Sequence, residues 1–150
     1  MYMKKFAILT AALICLCACN QYQNVTVTLP DGFAVKARVA DTPEKKEKGL
    51  MFVKHLPENE GMLFLSDEDE LQQFWMKNTL INLDIAFIKN DHTVSSVAHD
   101  MDHTYTYTPD YDVPQAVGFG RYVLELPAGT AAKHGVEPGA KIEFILPEKK

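Results

Sequence analysis

Two runs decide the fold: residues 71–76, Leu71-Gln72-Gln73-Phe74-Trp75-Met76, and residues 83–88, Leu83-Asp84-Ile85-Ala86-Phe87-Ile88. Each is short, apolar and bounded by turn-forming residues, which is the length and composition of a strand rather than a helix. Period two puts Phe74 and Met76 on one face and Trp75 and Lys77 on the other. In the second run Leu83, Ile85 and Phe87 face one way, and Asp84, Ala86 and Ile88 the other. Working outward, residues 25–29 alternate and are β-branched, Pro30-Asp31-Gly32 turns the chain, and residues 33–40 alternate again, so residues 25–40 predict a hairpin. Residues 62–65 read as a short buried strand, 66–70 as an acidic turn, and 93–101, 122–126 and 141–146 as further strands. A helix is predicted to open at Asp41-Thr42-Pro43-Glu44, with Pro43 at its first position and a cap beside it. Lys45, Lys46 and Lys48 form its solvated face, and Gly49 ends it or opens a turn. A second helix is predicted over 130–134, closed by Gly135. Residues 102–114 read as a polar, aromatic loop and Gly118-Phe119-Gly120 as a flexible turn. The sum is a mainly β fold, a compact sandwich or small jelly-roll-like barrel with two short helices.

The N-terminus carries an address. Lys4 and Lys5 precede an apolar run, residues 6–16, that is shorter than the roughly 20 residues a bilayer span needs but suits the core of a signal peptide. The run ends in Leu16-Cys17-Ala18-Cys19. Leu16 stands three residues before Cys19 and the small Ala18 directly before it, the pattern of a bacterial lipoprotein signal. Cys15 and Cys17 fit less well, because Ile14 and Leu16 precede them. The expectation is a signal over residues 1–18, lipidation of Cys19, a tether over 19–24 and a β-domain over 25–147. An ordinary cleaved signal is the alternative. More than one acyl chain gives stable anchoring, so the expected partner is a membrane and the expected location the cell envelope. In a Gram-negative cell, Asn20 in place of Asp after the cysteine favours outer-membrane sorting.

Composition narrows the chemistry. All three cysteines lie at or before residue 19, so the remainder offers no disulfide, thiolate nucleophile or thiolate metal site. Removing Lys4 and Lys5 with the signal leaves 13 basic against 20 acidic residues, a net charge of −7. That balance argues against nucleic acid, whose phosphates demand a basic surface. Ser66, Ser95 and Ser96 stand in no nucleophile elbow, and no glycine-rich loop precedes a phosphate-binding helix.

Two constellations remain. Asp84 interrupts an apolar run, and a buried carboxylate needs a partner or hydrogen bonds. Lys77, Arg38 and Arg121 are its candidate partners. Trp75, Lys77, Asn78 and Asp84 then form a candidate ligand pocket, with Trp75 as its apolar wall. The structural alternative makes Trp75 core, Asn78-Thr79 a turn, and Asp84 a cap for backbone N–H groups. In His99-Asp100-Met101-Asp102-His103, an extended chain would put His99, Met101 and His103 on one face. Imidazole with thioether suits copper, and imidazole with carboxylate suits zinc; the alternative is a polar strand end with Met101 packed inward. Met51, Met62, Met76 and Met101 read more readily as gap-filling core than as a metal cluster. Tyr105, Tyr107 and Tyr111 form either a recognition loop for sugar or peptide, or a cover over a β-face.

The order of Ala40-Asp41-Thr42-Pro43, Lys48-Gly49-Leu50-Met51, Glu60-Gly61-Met62-Leu63-Phe64, Phe74-Trp75-Met76-Lys77-Asn78-Thr79, Leu83-Asp84-Ile85-Ala86-Phe87-Ile88 and Tyr122-Val123-Leu124-Glu125-Leu126-Pro127-Ala128-Gly129 resembles the DUF192 (UPF0127) family. The resemblance implies a compact β-sandwich domain, often behind a signal or lipoprotein peptide. It implies no activity, catalytic residue or cofactor. The reading is therefore a membrane-anchored, non-catalytic domain that binds a small molecule or an envelope-protein partner. An envelope copper or zinc protein and an enzyme using the Trp75–Asp84 region are the alternatives.

Overall fold

The structure is a computed structural model and describes residues 22–146; the signal and Cys19 lie outside the described residues. Seven strands form one sheet: β1 (Asn24–Thr28), β2 (Ala34–Ala40), β3 (Glu60–Trp75), β4 (Leu83–Ile88), β5 (Val94–Met101), β6 (Gln115–Pro127) and β7 (Glu143–Phe144). Their order is β5-β4-β6-β3-β2-β1-β7. β2 and β3 run parallel, and the other pairs are antiparallel. The helices are α1 (Pro43–Lys48) and α2 (Thr130–Lys133). The mainly β reading with two short helices holds. Of sandwich and barrel, the fold is nearer the second: one curled sheet whose two edges meet through a Thr93–Lys141 bridge and a Val94 N–H to Ala140 carbonyl bond of 2.9 Å.

Curling gives the sheet an inside and an outside. Val27, Val35, Val39, Leu63, Ala86, Leu124, Leu126 and Ile142 form one apolar cluster, drawn from both ends of the strand order. Only an inward curl brings those strands together. Met62, Phe64, Leu83, Ile85, Phe87 and Val123 form the second cluster on the opposite face, covered by Leu50, Leu56, Met76 and Val113. The alternation expected for residues 83–88 sorts their side chains between these two clusters, and that of 33–40 sends Val35, Ala37 and Val39 into the first while Lys36 and Arg38 face away.

Three local expectations differ. Residues 66–70 are a bulge within the long β3, where the register with β6 shifts between Leu65 and Glu70. Gly118-Phe119-Gly120 belongs to β6, not to a turn. A Cβ on Gly118 would overlap the Phe87 ring, and one on Gly120 would stand 2.5 Å from the Ile88 carbonyl oxygen. The glycines are there because β6 passes closely over β4, not because it bends. Lys45 does not join Lys46 and Lys48 in solvent. It is 8% exposed, pairs with Asp41 at 2.7 Å and lies 5.7 Å from the Tyr22 ring centre. Residues 71–76 and 83–88 lie on opposite sides of β6.

Candidate functional site

Thr42 caps α1, with its Oγ1 accepting from the Lys45 N–H at 3.4 Å, and Pro43 occupies a position whose N–H a helix leaves unused. Gly49, at φ 44°, ends the helix and leads into Leu50 and Met51. Phe52 N–H then donates to the Asn78 carbonyl at 2.9 Å. Both residues are left-handed, Phe52 at φ 64° and Asn78 at φ 54°. For a bulky aromatic that conformation costs roughly 1–2 kcal/mol. Such strain persists where surrounding contacts over-determine it, and it gathers at binding sites.

Two adjoining clefts lie between this segment and β3. The first, about 390 Å³, is lined by α1 and residues 49–51, by Phe64, by residues 70–75 and by Glu125. The second, about 480 Å³, adds Glu44, Phe52 and Asn78. Lys48, Met51, Trp75 and Lys77 belong to both. Trp75 is 45% exposed, a cleft wall and not core, and Lys77 Nζ lies 4.9 Å from its ring centre. Lys77 also pairs with Asp110 at 2.9 Å, which ties the aromatic loop to the cleft. In that loop Tyr105 stacks on Tyr107 with ring centres 5.3 Å apart, while Tyr111 is exposed.

Glu125 is the member of the site that the sequence reading passed over. It sits between Leu124 and Leu126 in β6, with Met62 and Ile85 as cross-strand neighbours. Only 6% of it is exposed, and its Oε2 has no hydrogen-bond partner among the described residues. Burial pushes its carboxyl up to about 8, against the opposing pull of the Arg38 charge. The group is therefore largely protonated at neutral pH. Arg38 lies in the same lateral row across the sheet, but Met62 stands between them. The signal that singles out Asp84, one charge within an apolar strand, applies equally to Leu124-Glu125-Leu126.

The other predicted residues separate. Trp75, Lys77 and Asn78 come together at the clefts. Asp84 pairs in register with Leu126, so it lies on the face opposite Glu125. It is 1% exposed and accepts from Asp100 N–H at 2.9 Å and Ala131 N–H at 2.8 Å. Its carboxylate thus joins β4 to β5 and to the start of α2; it caps backbone N–H groups, though not those of residues 78–79. Arg38 lines a separate cleft with Lys36, His55 and Glu60. Arg121 donates to the Ser66 carbonyl at 3.2 Å and to Asn90 Oδ1 at 2.6 Å.

His99, Met101 and His103 do not converge. Asp100 is left-handed at φ 47°, and the β4–β5 register shifts there, which breaks the alternation that would align the three. His99 Nδ1 lies 3.8 Å from Asp84 Oδ1, Met101 packs against the outer cluster, and His103 Nδ1 bonds Asn82 Oδ1 at 2.7 Å. Among the described residues no three His, Cys, Asp or Glu side chains are placed to share a metal ion.

Solved structures resemble this one. A protein of unknown function from Novosphingobium aromaticivorans DSM 12444 is 34% identical, with 95% of this chain and 99% of that one covered and a TM-score of 0.67. A protein from Sinorhizobium meliloti 1021, described as a candidate transcription regulator, is 30% identical, with 82% and 95% covered and a TM-score of 0.70. No curated protein gives a significant match. The family model DUF192, described as an uncharacterised ACR, matches residues 26–144, from within β1 to the end of β7. With the match running the length of the curled sheet that shapes the cleft, the chain belongs to the DUF192 family.

Proposed function

We propose that this chain is a lipid-anchored envelope domain that binds a ligand in the clefts between α1 and β3. The observation that carries the binding site is Glu125, a buried acid with an unpartnered oxygen on a residue lining a cleft that mixes Leu50, Met51, Phe64, Phe74 and Trp75 with charged and polar side chains. Leaving such a group without a partner costs about 1–3 kcal/mol, and a bound ligand or water would recover it. A perturbed acid in a cleft that also offers apolar contact is a mark of a ligand site. Binding is favoured over nucleophilic catalysis because the cleft hydroxyls serve the protein itself: Ser66 bonds Gln72, and Thr79 bonds the Lys77 carbonyl. Native mass spectrometry of the detergent-purified protein tests this. A co-purifying small molecule held by wild type and lost in Glu125→Gln is expected; a cleft that stays empty through extraction and a metabolite screen sinks it.

Leu16-Cys17-Ala18-Cys19 supports the anchoring. Cys19→Ala is expected to abolish incorporation of labelled palmitate and release the protein from the membrane fraction. Retained label would overturn the assignment. One observation favours a second reading: an acid held at about 8 is a competent proton donor at neutral pH. That reading requires turnover of some metabolite, lost in Glu125→Gln and falling as pH rises through 8.

A further inference from the structure

The first cleft follows the edge of a strand. A cleft lying on a sheet face is lined by alternate residues, yet this one is lined by every residue from Glu70 to Trp75. β2 occupies that edge of β3 only as far as Ala40 opposite Phe64, and then the chain leaves for α1. Beyond that point β3 has β6 on one side and no strand on the other among the described residues.

The hydrogen-bond pattern shows which backbone groups are left over. Met76 N–H donates to the Pro114 carbonyl at 3.0 Å, and Trp75 lies opposite Gln115. In an antiparallel ladder hydrogen-bonded pairs alternate, so Phe74, Gln72 and Glu70 also bond inward to β6. The N–H and C=O groups of Leu71, Gln73 and Trp75 point outward, into the cleft. Their side chains are exposed too, Leu71 at 73%. The opposite wall is α1, which carries Lys46, Glu47 and Lys48, and Glu70 lines the β3 side. Neither lysine has an ion pair among the described residues.

We infer that this open edge takes an extended segment of a partner protein, added as a strand beside Leu71, Gln73 and Trp75, with its acidic side chains against Lys46 and Lys48. The inference rests on the cleft being a binding site and names the class of its occupant. Main-chain bonds supply affinity in strand addition, and side-chain pockets supply choice. Trp75, Phe74 and Met51 give apolar contact, and Lys46 and Lys48 give acidic side chains of the segment their counter-charges. A cleft of about 390 Å³ holds a stretch of a few residues.

The chain has one tryptophan, Trp75, so its fluorescence reports binding directly. The probe is a capped pentapeptide of alternating valine and glutamate, titrated into the detergent-purified full chain. Saturable change in Trp75 emission is expected, together with at least tenfold slower hydrogen exchange at the Leu71, Gln73 and Trp75 amides. Methylating the peptide nitrogens that face β3 is expected to weaken binding tenfold or more. Gln73→Pro should do the same, since it removes an outward N–H while leaving the β6 ladder intact; Gln73→Ala should bind as wild type does. Equal binding of the methylated peptide, or unaltered exchange at those three amides with peptide at millimolar concentration, overturns the inference. Protection that rises with protein concentration alone makes the occupant a second copy of the chain, which also overturns it. A small molecule retained by wild type and lost in Glu125→Gln, with no peptide effect, leaves the cleft a binding site and removes strand addition alone.

Discussion

Replacing Glu125 by Gln keeps the shape of the side chain and removes its proton. In the folded protein the carboxyl titrates at about 8, against an ordinary value of 4.5 in the unfolded chain. The folded state therefore binds this proton more tightly. The resulting stability is fully present below pH 4.5 and is lost as pH rises through 8. Each tenfold difference in proton affinity is worth about 1.4 kcal/mol. Between pH 5 and pH 8, the wild type should lose about 3–4 kcal/mol relative to a variant that does not titrate there. Glu125→Gln should match the wild type within about 1 kcal/mol at pH 5 and exceed it clearly at pH 8. Equilibrium urea denaturation of both proteins at several pH values measures this. Subtracting one curve from the other cancels the groups they share, such as Asp31, Glu58 and Asp91. A difference that stays flat from pH 5 to pH 8 refutes the reasoning, because it means that the carboxyl is solvated or paired in the fold.

The remaining expectations concern the frame around the cleft. Gly120→Ala should cost about 3 kcal/mol or prevent folding, since the new methyl meets the Ile88 backbone, whereas Gly129→Ala, with open space at φ 86°, should cost only about 1–2 kcal/mol; thermal denaturation compares them. Asp84→Asn keeps one acceptor and turns an NH₂ toward the other of two backbone donors. It should lose about 2–3 kcal/mol in urea, while any cleft ligand detected by native mass spectrometry binds as before. Thr42→Ala removes the α1 cap and should cost about 1 kcal/mol by the same assay, with faster hydrogen exchange confined to the first turn of α1.

Much of the fold was legible because its signals are local. Alternation in residues 33–40 and 83–88 depends only on the strand period, so the inner and outer faces followed from it. Thr42 and Pro43 act within one turn, and α1 starts at Pro43. Trp75, Lys77 and Asn78 lie close in sequence and share a cleft. Other features depended on which strands meet. Gly118 and Gly120 look like a turn until β4 is placed beneath them. Lys45 reads as solvated until Asp41 and Tyr22 close over it. The alignment of His99, Met101 and His103 failed on a single left-handed residue, Asp100.

Sequence by itself determined the strand periods, the start of α1 and the presence of isolated charges in apolar strands. Tertiary structure alone decided what those charges do. Asp84 and Glu125 carry the same signature in sequence, one acid between apolar neighbours. The curl of the sheet puts Asp84 beside two backbone N–H donors at β5 and α2, which satisfy it. It puts Glu125 between Met62 and Ile85, where its Oε2 finds no donor, in a row that β2 still extends through Arg38. Period two fixes which face a side chain takes, but a hydrogen-bond partner is a matter of distance between segments far apart in the chain, and only the folded sheet sets that distance.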